Sequence, residues 1–499
     1  MKPVVIPHAS YQDSVLKQLQ EHFVGGALTL LNKDWPLIAK LWITDLSGVT
    51  RFLRDDYDPK GPSPRDPASM LRSYLVFLFT NPTMGITEWV NELYRAPLYA
   101  ILSGFEPKNI PGIGTFYDFF HRLWGSDRLN GKPSESQRRR KKPKKGKKKG
   151  EKARTTTPRK VERLINWMVR HADHQKPLPA DRLFDLFQSE ILTVSNKLGL
   201  LGDSKALGVA GDGTPIVTAA YPRSKPTCDC RAQGLGNCDH PRLLSQPDCD
   251  SGWDSARERY FNGYDLYMLS ASDSPYDLPL YPRLHPASRH DAVGLVVSTV
   301  EFSQRFSLGT VGRMLLDAAH DAEAIYTWLD GQDIEPFIDL NPRSKKIYGV
   351  QGDMKISAEG IPICSANLKM KPNGYDHSQN RQKWRCPLAS GTHNACENPC
   401  STAKYGRTFH THSEDNLRLF PKTPRESEQW KAVYKRRTSI ERSNKREKID
   451  YQLEAGRHRS TAMWYIRLYG IMMCQHMDAW FRHQEENLKT LKTRFPFPT

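Results

Sequence analysis

Between residues 204 and 342 the chain alternates short apolar runs with amphipathic ones, and that alternation limits its fold more than any other feature. KALGVAGDGTPIV reads as a short strand reaching Asp212, and YDLYMLSA and LPLYPRL read as further strands. RHDAVGLVVSTVEFSQRF suits a helix after Ser288, with His290 and Asp291 in its first turn. RMLLDAA is a strand ending at Asp317, AEAIYTWLD a helix and EPFIDLN another strand. Strands and helices in this order select an α/β architecture, a sheet flanked by helices.

The rest of the 499 residues must then fold around that unit, because the chain exceeds what one hydrophobic core organises and two or three domains are expected. Residues 1–133 read as an all-helical N-terminal domain. Within it, MLRSYLVFLF is an apolar helix stopped at Asn81-Pro82, GITEWVNELYRAPLYAIL follows, and Thr115 is placed to cap the helix that buries Phe116, Phe119 and Leu123. Short helices of this kind are compatible with a DNA-binding helix-turn-helix module and equally with a bundle that touches no DNA. Residues 161–203 hold connecting amphipathic helices, and 204–342 the α/β unit. Residues 343–425 are a polar, cysteine-containing insertion, and 426–499 return to helix. The last apolar helix, TAMWYIRLYGIMMCQHMDAWF, is expected to close the chain and pack under the sheet.

Charge points to the partner. Lys+Arg 73 against Asp+Glu 55 gives +18, and residues 138–160 alone hold fourteen Lys/Arg against one Glu. That basic linker, 134–160 with its margins, is interrupted by Pro143, Gly146 and Gly150 and holds almost nothing apolar, so it is expected to be a disordered tether. Its density of like charge suits phosphate neutralisation by counterion release. No run of 18 apolar residues and no signal-peptide core is present, so an intracellular location away from membranes is expected.

Near the C-terminus, Tyr434, Arg437, Glu441 and Lys448 are spaced Y-x2-R-x3-E-x6-K. On an ideal α-helix they fall at about 0°, −60°, −20° and −40°, a single stripe from which Glu447 is excluded. One carboxylate flanked by two cations and a phenol suits a metal ion held beside a phosphate, and equally a solvated face with i,i+4 pairs. Asp212 in GDGTPI and Asp317 in MLLDAA, each expected at a strand end, would add the oxygen ligands that hard divalent cations prefer. Asp321 leads into AEAIYTWL and is expected to cap that helix.

The DGT at Asp212, the LLDAAHDAEAIY around Asp317 and the Tyr-Arg-Glu-Lys helix together resemble the DDE transposases of bacterial insertion sequences, in the subgroup with the YREK signature. The likeness extends over most of residues 67–475. It implies an RNase H-like catalytic core and two divalent ions, Mg²⁺ or Mn²⁺. It also implies cleavage and strand transfer at the inverted repeats ending the element. Carried over to this chain, Asp212, Asp317 and Glu441 would be the metal-binding catalytic triad, and Tyr434, Arg437 and Lys448 the DNA contacts. The partners would be double-stranded DNA, at element ends and target, and a second copy of the chain assembled on it, in the bacterial cytoplasm with the nucleoid. The family often has a tyrosine near the second aspartate, where this chain has His320. A catalytically idle DNA-binding protein and a metal-dependent nuclease without strand transfer are the alternatives.

Nine cysteines in an intracellular chain argue for metal ligands or buried thiols. Cys228, Cys230, Cys238 and His240, with Cys249 nearby, supply four ligands suited to structural Zn²⁺, though at no standard finger spacing. Cys364, Cys386, Cys396 and Cys400, with His393, form a second candidate set. Cys474 on the last apolar helix is expected in the core.

Overall fold

The structure is a computed structural model describing all residues except 25–27, 126–158, 172–176, 222–243, 247–248, 342–347, 352–353, 391–395, 397–398, 404 and 498–499. The N-terminal part is helical: α1 (His8–Phe23), α2 (Trp35–Ile43), α3 (Ser47–Leu53), α4 (Pro67–Thr80), α5 (Ile86–Arg95), α6 (Pro97–Ser103) and α7 (Ile113–Trp124). Helix α4 starts sharply because Pro67 pre-sets the first turn and Asp66 accepts from the amides of Ala68 and Ser69. Asn81 ends it, and its apolar run is buried from Pro67 to Leu78. Thr115 does not cap α7. The helix starts two residues earlier behind Gly112, leaving Thr115 inside the first turn.

After α8 (Lys160–Arg170), α9 (Asp181–Phe187) and α10 (Thr193–Lys197), the chain enters the sheet. Its strands are β1 (Leu207–Val217), β2 (Asp250–Asp254), β3 (Arg259–Ala271), β4 (Pro279–Pro286), β5 (Val311–Leu316) and β6 (Glu335–Ile338). Helix α11 (Asp291–Arg305) precedes β5, and α12 (Glu323–Asp330) precedes β6. The order is β2-β3-β1-β5-β6, with β4 also on β3. Strand β3 is antiparallel to β1, β2 and β4, whereas β1, β5 and β6 run parallel. This mixed sheet flanked by helices is an α/β fold with an RNase H-like core. Parallel neighbours need crossovers, which the helices between β4 and β6 supply while burying Leu295, Val296, Ile325 and Leu329.

Residues 343–425 interrupt this pattern with two three-stranded sheets. The first comprises β7 (Tyr348–Gln351), β8 (Met354–Ile356) and β9 (Pro362–Ile363). The second comprises β10 (Lys371–Asp376), β11 (Arg381–Arg385) and β12 (Thr408–His412). The chain then forms α13 (Glu428–Tyr434), α14 (Thr438–Lys445), α15 (Thr461–His483) and α16 (Glu485–Lys492). The last apolar helix therefore does not close the chain, since α16 follows it.

Helix α15 joins the N-terminal helices to the sheet. Gly470 lets it approach Tyr74 and Leu78 of α4, where a Cβ would come within 2.6 Å of Leu78. On its other side His476 bonds Ser195 Oγ at 2.7 Å and the Pro279 carbonyl at 2.9 Å, satisfying a fully buried imidazole. Helical N-terminus and sheet thus share one contiguous apolar core, and Cys474 is buried in it. Among the described residues no helix is long and apolar enough to cross a membrane.

Candidate active site

Strands β1 and β5 are in parallel register at Ala210 and Leu315. Two residues further along each strand stand Asp212 and Asp317, so continuing the register sets the two carboxylates side by side. Asp212 is not at a strand end: β1 continues to Val217, still paired with β3 at Gly263. What ends there is β5, at Leu316, and its departure opens the edge of β1 next to Asp212.

Burial, followed by the Asp317 charge, pushes the Asp212 carboxyl up to about 7. Asp317 goes the other way. Burial works to raise it, but a hydrogen bond from His320, the charge of that ring and the Ala319 amide outweigh burial and hold it below the usual carboxylate range. His320 Nδ1 lies 2.6 Å from Asp317 Oδ1, and its Nε2 lies 2.9 Å from the Tyr267 hydroxyl. The imidazole is fully buried, which fixes its orientation.

Two further carboxylates lie behind β1, on the face that strand alternation turns away from the Asp212 side chain. A Cβ on Gly213 would lie 2.7 Å from Asp291 Oδ1 and 3.1 Å from Asp265 Oδ1. Asp291 does occupy the first turn of α11, behind His290 as N-cap, and from there it points to β1. Asp265 has an oxygen without a hydrogen-bond partner, and burial, then Asp291 and Asp212, push its carboxyl up to about 8. Sequence reasoning missed Asp265 and the His320–Tyr267 support, and gave Asp291 only its place in the first turn of α11. A DG pair on an apolar strand signals a close approach, but not what approaches.

The helix carrying the signature runs over β1 and β3, but it is not ideal. Between α13 and α14 it tightens to a 3₁₀ turn (Lys435–Arg437), and beyond α14 it widens to a π turn (Arg446–Asp450). Arg437 projects between the helix and the aspartates: its charge acts on both Asp212 and Asp317, while its Nη2 donates to Glu441 Oε1 at 2.7 Å. Glu441 is half exposed and is drawn into the i,i+4 pair. Tyr434 stacks on Trp430 at 4.4 Å, and burial, then Asp339, raise its hydroxyl to about 12. Lys448 reaches β1, donating to the Pro215 carbonyl at 2.6 Å and to Thr214 Oγ1 at 3.2 Å. Glu447 is fully buried away from this stripe, hydrogen-bonded by Gln475 at 3.3 Å, and burial pushes its carboxyl up to about 8.

Asp321 does not cap α12. It is buried, receives two hydrogen bonds from Arg418 at 2.7 and 2.6 Å, and accepts the Asn341 amide at 2.8 Å. It therefore clamps the insertion to the sheet, and an ion pair with a guanidinium fork wins over a cap worth a fraction as much.

Asp212 and Asp317, side by side where the edge of β1 opens, are oxygen donors of the kind a hard divalent cation prefers. Among the described residues, however, no three His, Cys, Asp or Glu side chains already gather in a metal cage. This includes the triad, since Glu441 is turned to Arg437. Cys228, Cys230, Cys238 and His240 lie outside the described residues, as does His393. Cys364 packs with Met354, Ile361, Met370 and Trp384 in a small apolar cluster. Cys386, Cys396 and Cys400 form no disulfide among the described residues.

Residues 208–476, more than half of the chain, match a family model described as Transposase DDE domain. No curated protein and no solved structure gives a match.

Proposed function

This chain belongs to the Transposase DDE domain family and is thereby a transposase, and we propose that it is of the YREK-signature subgroup, cutting and joining DNA at the ends of its own element. The observation that carries the reading is the in-register pair Asp212 and Asp317 with Arg437 of the signature helix reaching toward both. Asp212, Asp317 and Glu441 would hold two divalent ions, Mg²⁺ or Mn²⁺, whose chemistry is to activate the attacking oxygen and stabilise the leaving one.

The chain's own residues do the rest. His320 keeps one Asp317 oxygen aligned, leaving the other to point outward. Arg437 is the exchangeable group: a DNA phosphate offers its guanidinium a bidentate partner, and Glu441 is then released toward the aspartates. Lys448, docked on β1, and Tyr434, stacked on Trp430, flank the scissile bond and position the strand. Water attacks the phosphodiester first and a 3′-hydroxyl leaves. That hydroxyl then attacks a target phosphodiester, expelling a second 3′-hydroxyl. Double-stranded DNA is the partner at both steps, and two copies of the chain pair two element ends.

Alanine at Asp212, Asp317 or Glu441 should abolish divalent-dependent cleavage of an element end and spare DNA binding. Retained cleavage in any of the three would remove that residue from the triad. Cleavage without joined products would make the chain a nuclease.

A further inference from the structure

Away from the aspartates, a cleft of about 670 Å³ separates the N-terminal helices from the segment that follows the signature helix. One wall is α4, the start of α5 and α7, and the other is Gly456–Ser460 with the start of α15. Its lining includes three arginines and two histidines and no carboxylate. Arg457 and Arg459 stand exposed at the rim, and His121 faces them from α7.

The cleft is built rather than incidental. Arg467, 1% exposed, donates to the Pro82 carbonyl on one wall and to the carbonyls of Leu453, Tyr451 and Gln452 on the other, tying the two together. Arg457 is held in the left-handed region at φ 48°, a conformation a long side chain adopts only when its surroundings impose it. Tyr74, also 1% exposed, lines the interior, and its hydroxyl has no hydrogen-bond partner. His458 Nε2 is likewise unpartnered, and burial, then Arg467, push that ring down to about 3, leaving it neutral. Both atoms are closed to solvent, so the groups that the cleft offers to an anion are the two exposed arginines at its rim.

We propose that this cleft is a second DNA-backbone site, which takes phosphates of the duplex outside the cleavage point through Arg457 and Arg459. The proposal rests on the transposase reading for its choice of anion. A cationic lining without carboxylates selects polyanions. The cleft also continues the catalytic segment. Glu454, three residues before Arg457, accepts the Val217 amide of β1 at 2.9 Å, so a duplex seated here bears on the strand carrying Asp212.

The test uses the full chain and a blunt duplex of arbitrary sequence, because phosphate contacts carry no base information. Arg457→Asn with Arg459→Ala, asparagine being chosen for its tolerance of left-handed backbone, should lower the slope of log K against log salt by roughly 1–2. Tyr74→Phe, which removes only a hydroxyl closed to solvent, should leave slope and affinity near the unaltered values. Arg51→Ala with Arg54→Ala, exposed arginines outside the cleft, should leave both readouts near the unaltered values. An unchanged slope in the cleft double variant or an equal loss in the control pair overturns the site while leaving the transposase reading intact. A chain that binds no duplex at all overturns both.

Discussion

His320 and Asp317 are locked together: Nδ1 of a fully buried imidazole lies 2.6 Å from one carboxylate oxygen, with Tyr267 bracing the opposite ring nitrogen. The pair leaves Asp317 ionised and aimed, as hydrogen-bond partners behind metal-binding carboxylates do. His320→Ala should therefore lower the rate of divalent-dependent cleavage by about 10–100-fold. Its DNA affinity should stay within about twofold, a difference of a few tenths of a kcal/mol. Single-turnover cleavage beside equilibrium binding reads both, and full activity in the variant would reduce His320 to a packing residue.

Asp212 makes a prediction about pH. Its carboxyl is raised to about 7 in the folded chain, so between about pH 4 and 7 the fold retains a proton that the unfolded chain has released. Stability from this group consequently falls as pH rises through that window. Asp265, raised to about 8, extends the decline by about one unit. Divalent ions bind the deprotonated form, so the melting-temperature gain from Mg²⁺ or Mn²⁺ should be larger at pH 8 than at pH 5. Asp212→Asn should raise the melting temperature of the metal-free protein at pH 8 and lose most of the metal-dependent gain. A gain independent of pH would argue against ligation by these aspartates.

How much of this was legible in the sequence depends on what kind of contact each feature needs. Strand and helix order came from periodicity, which is local, and β1, β3, β5, α11 and α12 lie close to where the apolar runs put them. The pairing of Asp212 with Asp317 is a register, and the two aspartates lay in apolar runs that the α/β order makes neighbours. Asp265 escaped notice because it sits inside a buried strand, and Asp291 was given only the place of an ordinary first-turn acid. Their meaning arises only when β3 and α11 close on Gly213. Asp321 was misread for a similar reason: its cap role is local, whereas its actual partner, Arg418, lies 97 positions away.

Glu441 and Glu447 provide a contrast within one helix. Glu441 is half exposed and bound to Arg437, whereas Glu447 is buried against Gln475 and Ser443 with its carboxyl raised to about 8. Glu441→Gln should stop cleavage. Glu447→Gln should keep it and leave the melting temperature equal or higher, since a buried acid that stays protonated near neutrality loses little as an amide. Loss of cleavage in the Glu447 variant with retention in the Glu441 variant would reverse the assignment.

Arg437→Lys should cost about tenfold or more in cleavage although the charge is kept. Its present position demands a fork that can bond Glu441 while acting on two aspartates, and a lysine offers a single point of charge. Lys448→Ala should chiefly raise KM, because that ammonium is docked on the Pro215 carbonyl and positions rather than reacts. Equal activity of Arg437→Lys and the unaltered chain would show that the guanidinium makes no bidentate contact with DNA.

The basic run at 138–160 follows α7, one wall of the cationic cleft, and its fourteen Lys/Arg carry most of the net charge. If those cations displace counterions from DNA, deleting the run should weaken duplex binding and flatten the salt dependence. Each phosphate no longer neutralised removes about 0.9 from the slope. The deletion should act uniformly across sequences, leaving the preference for an element end over random duplex unchanged, because phosphate contacts position without reading bases. It should also add to the loss from Arg457→Asn with Arg459→Ala if run and cleft grip different phosphates, and overlap with it if they share them. Titrations of the four combinations across a range of salt measure all three expectations. A deletion that leaves the slope where it was would identify the run as a solubilising linker, and the polyanion contact would then fall to the folded surface alone.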